Sequence, residues 1–334
     1  MAKTLKPDPV LKGYWRNDSR FADLFNQVLF NGEERIQPED LSDLDTDESN
    51  VLMEGDEMLA ISRLRDLVKK FTPGIELAIL GAENQMEIHH AMPVRNMLND
   101  SLHYTKECKS IEQEHRKTND LSGSADFLSG MTAHDRITPI ITLIIYYGEE
   151  AWSGPDSLWD MMDIPETFKP YIDNYHIHVF QVRNGDHYAF KNPDNKDFFT
   201  LISEFYNHSS RFKISEFREK YPDMTIYWET LAAVGAATGT TKLIKYALDH
   251  KGGRLNMCTA LQGLIDEGRK DGRLEGRREG RREGRREGHQ EGLEEAVAKT
   301  VHILKELGIP ESIISSKLME NFDLTRDDLP KYLS

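Results

Sequence analysis

Two carboxylates and one amide raise the chemical question in this chain: Asp66, Glu83 and Gln85. Leu67-Val68-Lys69-Lys70-Phe71 reads as a strand, Thr72-Pro73-Gly74 as a turn, and Ile75 to Leu80 as a second, more buried strand. An antiparallel hairpin turning near Pro73 and Gly74 pairs positions that sum to about 147, which sets Asp66 across from Gly81 and Ala82. Asp66 and Glu83, seventeen positions apart, then become neighbours at one end of a sheet. Glu83, Gln85 and Glu87 alternate, so they share a face for as long as the strand continues. Such a set suits a hard divalent cation. Mg²⁺ prefers octahedral oxygen ligands, takes one or two carboxylates, and leaves positions for water and a substrate phosphate. The bound ion lowers the pKa of its water and offsets charge on phosphoryl oxygens. The Asn84 carbonyl offers a further oxygen. The competing arrangement is structural: Asp66 pairs with Arg63, Arg65 or Lys69, and Glu83 caps the following helix.

The elements that must position this set follow from periodicity. Asn17-Asp18-Ser19-Arg20 precedes Phe21, Leu24, Phe25, Val28 and Leu29, one apolar face behind a polar cap residue. Glu33 to Glu57 is acidic with little periodicity and reads as a loop or linker. After Gln85, Ile88, Met92, Val94, Met97, Leu98, Leu102 and Tyr104 indicate a helix to about Arg116, with Pro93 near its start. Ile137 to Tyr147 is β-branched and apolar almost throughout, as a strand buried on both faces would be. Ile177 to Val182 is another short strand, and from Asp197 to Leu264 the pattern turns helical. The expected fold is α/β: a small mixed β-sheet flanked by helices, with a helical C-terminal extension. The segments divide as 1–57 (N-terminal helix and acidic linker), 58–190 (core), 191–265 (helical subdomain), 266–293 (a repeat) and 294–334 (a short helical tail).

In the repeat, Gly268, Gly272, Gly276, Gly280, Gly284, Gly288 and Gly292 recur every four residues among Arg and Glu. Each glycine costs about 1 kcal/mol inside a helix relative to alanine, while Glu–Arg pairs return a few tenths each. The expectation is a marginal helix that orders against a partner chain. Basic and acidic side chains nearly balance there, which favours a homo-oligomer through 266–293 over DNA tracking. Val297, Val301, Leu304 and Leu307 then form an apolar stripe ended by Gly308 and Pro310.

Composition narrows the classes. With 334 residues, 38% apolar and 30% charged, the chain can bury a core while carrying a charged segment. A net charge of −15 argues against a generic nucleic-acid coat, yet an enzyme that meets phosphate through divalent cations keeps an acidic centre. Cys108 and Cys258, far apart, give neither a disulfide framework nor a zinc finger. The start lacks an apolar signal stretch, and Ile137 to Tyr147 is about half a bilayer span. A cytoplasmic location without membrane contact is expected.

Three stretches carry a resemblance: Arg65-Asp66-Leu67-Val68-Lys69-Lys70, Leu80-Gly81-Ala82-Glu83-Asn84-Gln85-Met86-Glu87-Ile88 and Ala91-Met92-Pro93-Val94-Arg95. They resemble the recombination-promoting nuclease and putative transposase family of bacteria, as do Arg20 to Asn26, Ile140 to Gly148 and the Gly/Arg/Glu tail. The resemblance spans most of the chain. It implies a PD-(D/E)xK, restriction-endonuclease-like core and a DNA endonuclease dependent on Mg²⁺ or Mn²⁺. Asp66 matches the aspartate of the first motif and Glu83 the acid of the second, so both would be catalytic and metal-holding. Gln85 stands where the wider superfamily has lysine. Lacking charge, it orients a water or phosphate through hydrogen bonds. A chain that had lost catalysis would instead bind DNA or assemble through its repeat. A DDE transposase would need a third spaced acid, which the sequence does not offer convincingly.

Further candidates carry competing readings. Arg95 is a DNA-phosphate candidate or the partner of a nearby carboxylate. Asp23, Glu87 and Tyr104 are possible accessories, against an exposed helix charge for Asp23 and packing for Tyr104. Adjacent His89 and His90 face different ways on a helix and gain no third ligand. Trp152 and Trp159, around Gly154-Pro155, read as aromatic pins of a loop.

Overall fold

The computed structural model describes residues 7–44, 49–54, 57–62, 67–71, 74–80, 87–208, 213–322 and 324–333. In chain order the elements begin with α1 (Pro7–Trp15), α2 (Asp18–Phe30), β1 (Leu41–Asp43), β2 (Ser49–Glu54), β3 (Glu57–Ser62), β4 (Leu67–Phe71) and β5 (Ile75–Leu80). There follow α3 (Met92–Thr118), α4 (Ser124–Ser129), β6 (Ile140–Tyr146), β7 (His178–Gln181), α5 (Pro193–His208), α6 (Ile214–Lys220) and β8 (Thr225–Tyr227). The chain closes with α7 (Trp228–Ala237), α8 (Thr241–Asp249), β9 (Arg254–Asn256), α9 (Met257–Glu306), α10 (Glu311–Phe322) and α11 (Pro330–Leu333). It divides into two compact units, residues 1–262 and 263–334. The segments 58–190 and 191–265, read separately from sequence, therefore lie almost wholly in one unit.

In the first unit a five-stranded mixed sheet runs β1-β4-β5-β6-β7. β4 and β5 form the expected antiparallel hairpin, with Leu67 opposite Ile79 and Phe71 opposite Ile75. Its register is one residue tighter than expected. Gly74, at φ +125°, closes the turn by donating its N–H to the Phe71 carbonyl at 2.8 Å, a conformation that glycine alone adopts without strain. α3 then crosses back so that β6 runs parallel to β5, and β7 runs parallel to β6.

Alternation along the strands assigns the two faces. Val68, Ile140 and Tyr104 pack on the α3 side, as do Ile144, Met92 and Ile177. The opposite face carries Lys69 against α2 and Phe180 against Phe199 of α5, their ring centroids 5.4 Å apart. The sheet thus lies between helical layers, which is why β6 shows no polar alternation: six of its seven residues are buried. Two strand regions depart from expectation. The stretch Glu33–Glu57 is not a linker throughout, since β1 extends the main sheet along β4 and β2 pairs with β3. β8 and β9 form a two-stranded pair inside a stretch that reads as helical.

α2 begins at the expected cap. Asn17 accepts the Arg20 N–H at 3.1 Å, and Phe21, Leu24 and Phe25 are fully buried. At the far end of α3, His115 stands between two carboxylates: Nδ1 meets Asp120 at 2.6 Å and Nε2 meets Asp135 at 2.9 Å. Asp135 is held in turn by the Thr132 N–H and hydroxyl. The hydrogen bond to Asp120, then that to Asp135, raises the imidazole pKa above its ordinary value. Asp120 and Asp135 are correspondingly lowered, Asp120 chiefly through His115 and Asp135 chiefly through the Thr132 N–H. A raised histidine contributes stability that is full below its unfolded pKa, about 6.5, and disappears as pH rises through the higher folded value. The lowered carboxylates contribute above their unfolded range and lose that contribution as pH falls. The clamp therefore holds between the acidic carboxylate range and a point above the ordinary histidine range. An NMR titration of the His115 ring should give a midpoint above the ordinary one, with Asp120→Asn lowering it more than Asp135→Asn. Equal midpoints in all three proteins would exclude the clamp.

The second unit is helical. Val297, Val301, Ile314, Leu318 and Leu329 form its core, joined by Leu293, Leu304 and Ile309. Leu307, read as part of the apolar stripe, is exposed. The Ile309 N–H reaches the Leu304 carbonyl and the Gly308 N–H reaches Lys305, a Schellman stop with glycine at φ +70°. The repeat is continuous helix, and every residue from 266 to 292 is exposed. A Cβ on any of the seven repeat glycines would meet nothing within 4 Å. Gly276→Ala, Gly280→Ala and Gly284→Ala together should therefore stabilise the isolated helix by about 3 kcal/mol. Circular dichroism of a 263–306 peptide checks this, and unchanged helicity would refute it.

Candidate active site at the carboxyl edge of the sheet

β4 starts, and β5, β6 and β7 end, at one edge of the sheet. The last described pairs there are Leu67 with Ile79, Leu80 with Ile144, and Tyr146 with Gln181. In sheets with parallel strands, ligands bind outside the carboxyl ends of the strands. Asp66 immediately precedes Leu67, while Glu83 and Gln85 belong to the connection between Leu80 and Glu87. All three lie outside the described residues, as do Arg63 and Arg65.

The described residues of this edge are acidic, aromatic and cationic. Glu87 is exposed, and so are His89 and His90. Tyr146, at the end of β6, is buried, with its ring edge-on to Trp152 and centroids 5.2 Å apart. Burial raises its phenol pKa, Glu150 and Glu87 raise it further, and Arg183 opposes them. The Trp152 N–H donates to the Gln181 side chain at 2.8 Å, which ties the loop after β6 to the end of β7. Trp159 donates its indole N–H to the Ile172 carbonyl, a pin of the same long connection.

Arg95 sits half-buried in the first turn of α3, with no acidic residue in that turn. Among the described residues no carboxylate pairs with it. A cation at a helix N-terminus opposes the macrodipole, so helix stability does not account for it.

Several candidates instead hold the fold together. One Asp23 oxygen accepts the Lys191 N–H at 3.0 Å and the other the Asn195 side chain at 2.9 Å, so both are engaged in joining α2 to α5. The Tyr104 hydroxyl accepts the Ile140 N–H at 3.3 Å and its ring packs on Val68. Lys69, 1% exposed, meets Asp18 at 2.5 Å and also Asp43, so its ammonium joins β4 to α2 and β1. A feature that sequence reasoning missed is the polar inner stripe of α3: Asn96, Asn99, Asp100 and His103 are all buried. Asp100 accepts Thr142 at 3.0 Å and the Tyr175 hydroxyl, which itself accepts from Asn96 at 2.7 Å. His103 lies 3.1 Å from Glu76, and this pair lines a cavity of about 310 Å³. The spacing of positions 96, 99, 100 and 103 is that of one helix face, a signal present in the sequence although the residues are polar.

Among the described residues no group of three or more His, Cys, Asp or Glu is placed to hold a metal ion. The donor types of Asp66 and Glu83 are those a hard divalent cation takes. Compared with family models, curated proteins and solved structures, the chain matches none. No helix among the described residues is long and apolar enough to cross a membrane. Fold and edge define an α/β protein with a five-stranded mixed sheet.

Proposed function

We propose that the chain is a metal-dependent DNA endonuclease with a PD-(D/E)xK, restriction-endonuclease-like core, acting in recombination or on mobile elements. The observation that supports this reading best is the hairpin β4–β5 leading into a crossover helix and a parallel strand. This arrangement gathers the chain neighbours of Asp66 and Glu83 at the carboxyl edge, together with Arg95, which pairs with no carboxylate among the described residues. Asp66 and Glu83 would hold Mg²⁺ or Mn²⁺, which when bound supplies an activated water and offsets phosphate charge. Gln85 would orient a water or a phosphate oxygen through its amide, and Arg95 would contact the DNA backbone. The acidic balance of the chain then serves discrimination, since DNA approaches productively only where the ion and Arg95 offset its charge.

The test is nicking of supercoiled plasmid by wild type and Asp66→Ala, with Mg²⁺, with Mn²⁺ and with chelator. Metal-dependent nicking that disappears in the variant supports the proposal. Equal nicking by both proteins, or none under any metal, removes it.

A second reading concerns assembly and has its own observation. The 266–292 segment is exposed all round, and the unit it belongs to makes no use of its glycines. Such a helix fits a homo-oligomer formed through 266–293, with or without catalysis by the core. Sedimentation of the full chain and of the triple alanine variant reads this directly: assembly of the first and its weakening in the second are expected.

A further inference from the structure

At the edge of the sheet opposite the candidate active site, the cavity of about 310 Å³ opens beneath α3. Glu76 lines it from the first pair of β5 with β6, opposite Ile140, and His103 and Glu107 line it from α3. Leu44 and Val68 supply apolar wall and belong to the cluster around Val68 and Ile140. Ligand pockets run from about 300 to 1,000 Å³, so an occupant here must be compact.

Glu76 is 8% exposed and His103 7%, and their side chains meet at 3.1 Å. Val68 pairs with Ala78, and Glu76 with Ile140, so Glu76 shares the sheet face of Val68 and Ile140. An apolar pair of similar volume at that position would avoid the desolvation that a buried carboxylate and imidazole incur. Packing alone therefore does not account for them. Glu107 brings a second carboxylate to the same cavity. Its Oε2 accepts the Thr138 N–H at 2.7 Å, which fixes the side chain, and a carboxylate has further lone pairs for other donors.

We propose that this cavity binds the primary ammonium end of a small aliphatic amine. Glu76, Glu107 and His103 act as acceptors, and Leu44 and Val68 cover the carbon chain. An ammonium has three N–H donors and no acceptor, which suits two carboxylates and one imidazole nitrogen. Hydrogen bonds from a cation to carboxylates are also the strong kind. An anion would meet two like charges, and an apolar molecule would leave the polar wall without partners. A bare metal ion fits less well. Among the described residues no three His, Cys, Asp or Glu side chains are placed to hold one, whereas an N–H···O bond spans about 2.9 Å rather than the roughly 2.0–2.2 Å of a metal–oxygen bond. Lys106 and Ser110, both exposed, complete the lining at its mouth. There they suit the carboxylate of an amino acid, while a diamine would extend its second ammonium past them into solvent. The inference is independent of the endonuclease reading, since the cavity lies away from the carboxyl edge.

Calorimetric titration of the full-length chain with 1,4-diaminobutane, with leucine and, as a control, with sodium butyrate tests the proposal at fixed ionic strength. Saturable binding of at least one amine, and none of butyrate, is expected. Glu107→Gln removes charge but keeps an acceptor for the Thr138 N–H, and Ser110→Trp blocks the mouth without touching a charge. Each should weaken amine binding about tenfold or more. Glu76→Gln should do the same, and the melting midpoint of every variant is recorded so that a folding defect is separated from lost binding. Leucine binding that Lys106→Ala weakens identifies a zwitterionic ligand, and diamine binding that Lys106→Ala leaves intact identifies a diamine. Absence of saturable heat from both amines overturns the proposal. So does binding that Glu107→Gln and Ser110→Trp both leave unchanged, because the amine would then sit elsewhere on this acidic chain. Either failure leaves the proposed function untouched, since nicking is not the readout.

Discussion

Arg20→Ala is expected to lower the unfolding free energy by about 3–5 kcal/mol, the range for stripping one partner from a buried ion pair. Arg20 is 4% exposed and donates Nε to Asp194 at 3.0 Å and Nη2 to Glu229 at 2.7 Å. Its guanidinium also lies 4.5 Å from the Tyr14 ring centroid. It thereby ties α2 to α1, α5 and α7. Burial works against the charge, and the hydrogen bonds that Arg20 donates to Glu229 and Asp194, with the nearby Tyr14, outweigh it, so the arginine pKa is raised. Alanine would leave Asp194, whose side chain is 14% exposed, without its cation. Glu229, 46% exposed, is screened by solvent, and Glu229→Gln should cost about 1 kcal/mol or less. Urea unfolding of Arg20→Ala, Asp194→Asn and the double variant measures the coupling. Additive losses would show that the pair is not the source, because contacting partners must couple.

This clamp shows how much of the N-terminal motif was legible and in what sense. The apolar face of α2 was readable from Phe21, Leu24 and Phe25, which are buried as their spacing requires. The polar residues of the same motif were not readable, since their partners lie far along the chain. Asp23 is held by Lys191 and Asn195, and Asn26 by Arg35 and Ile36.

The central strands were legible because burial on both faces leaves an apolar run with turn residues at its ends, as in β4, β5 and β6. β1 was not, since three residues with only Leu41 buried give no period to detect. The β2–β3 pair did leave a signal: Glu54 pairs with Glu57, so only Gly55 and Asp56 separate the strands, and Gly-Asp is a two-residue hairpin sequence. The acidic composition around it suggested linker instead. The buried polar stripe of α3 was hidden for the converse reason. Asn96, Asp100 and His103 face Tyr175, Thr142 and Glu76 from three other segments, and local sequence cannot show such neighbours.

The second large effect falls on the acidic pair, and here the sign of the stability change separates chemistry from structure. Asp66→Asn and Glu83→Gln keep size and hydrogen-bonding capacity but remove charge. If the two carboxylates serve as a metal-holding pair, each variant should lower plasmid nicking by about 10³-fold, the scale for deleting one charge-stabilising group. In that case the two carboxylates would repel each other without metal. Neutralising either should then leave the melting midpoint unchanged or raise it in chelator. The structural alternative predicts the reverse. An Asp66 paired with Arg63 or Arg65 contributes stability that Asp66→Asn would remove, while nicking by Glu83 and its neighbours would persist. Lys69, the other candidate partner, already engages Asp18 and Asp43 through its ammonium. Activity lost with stability kept assigns Asp66 to chemistry, and stability lost with activity kept assigns it to the hairpin.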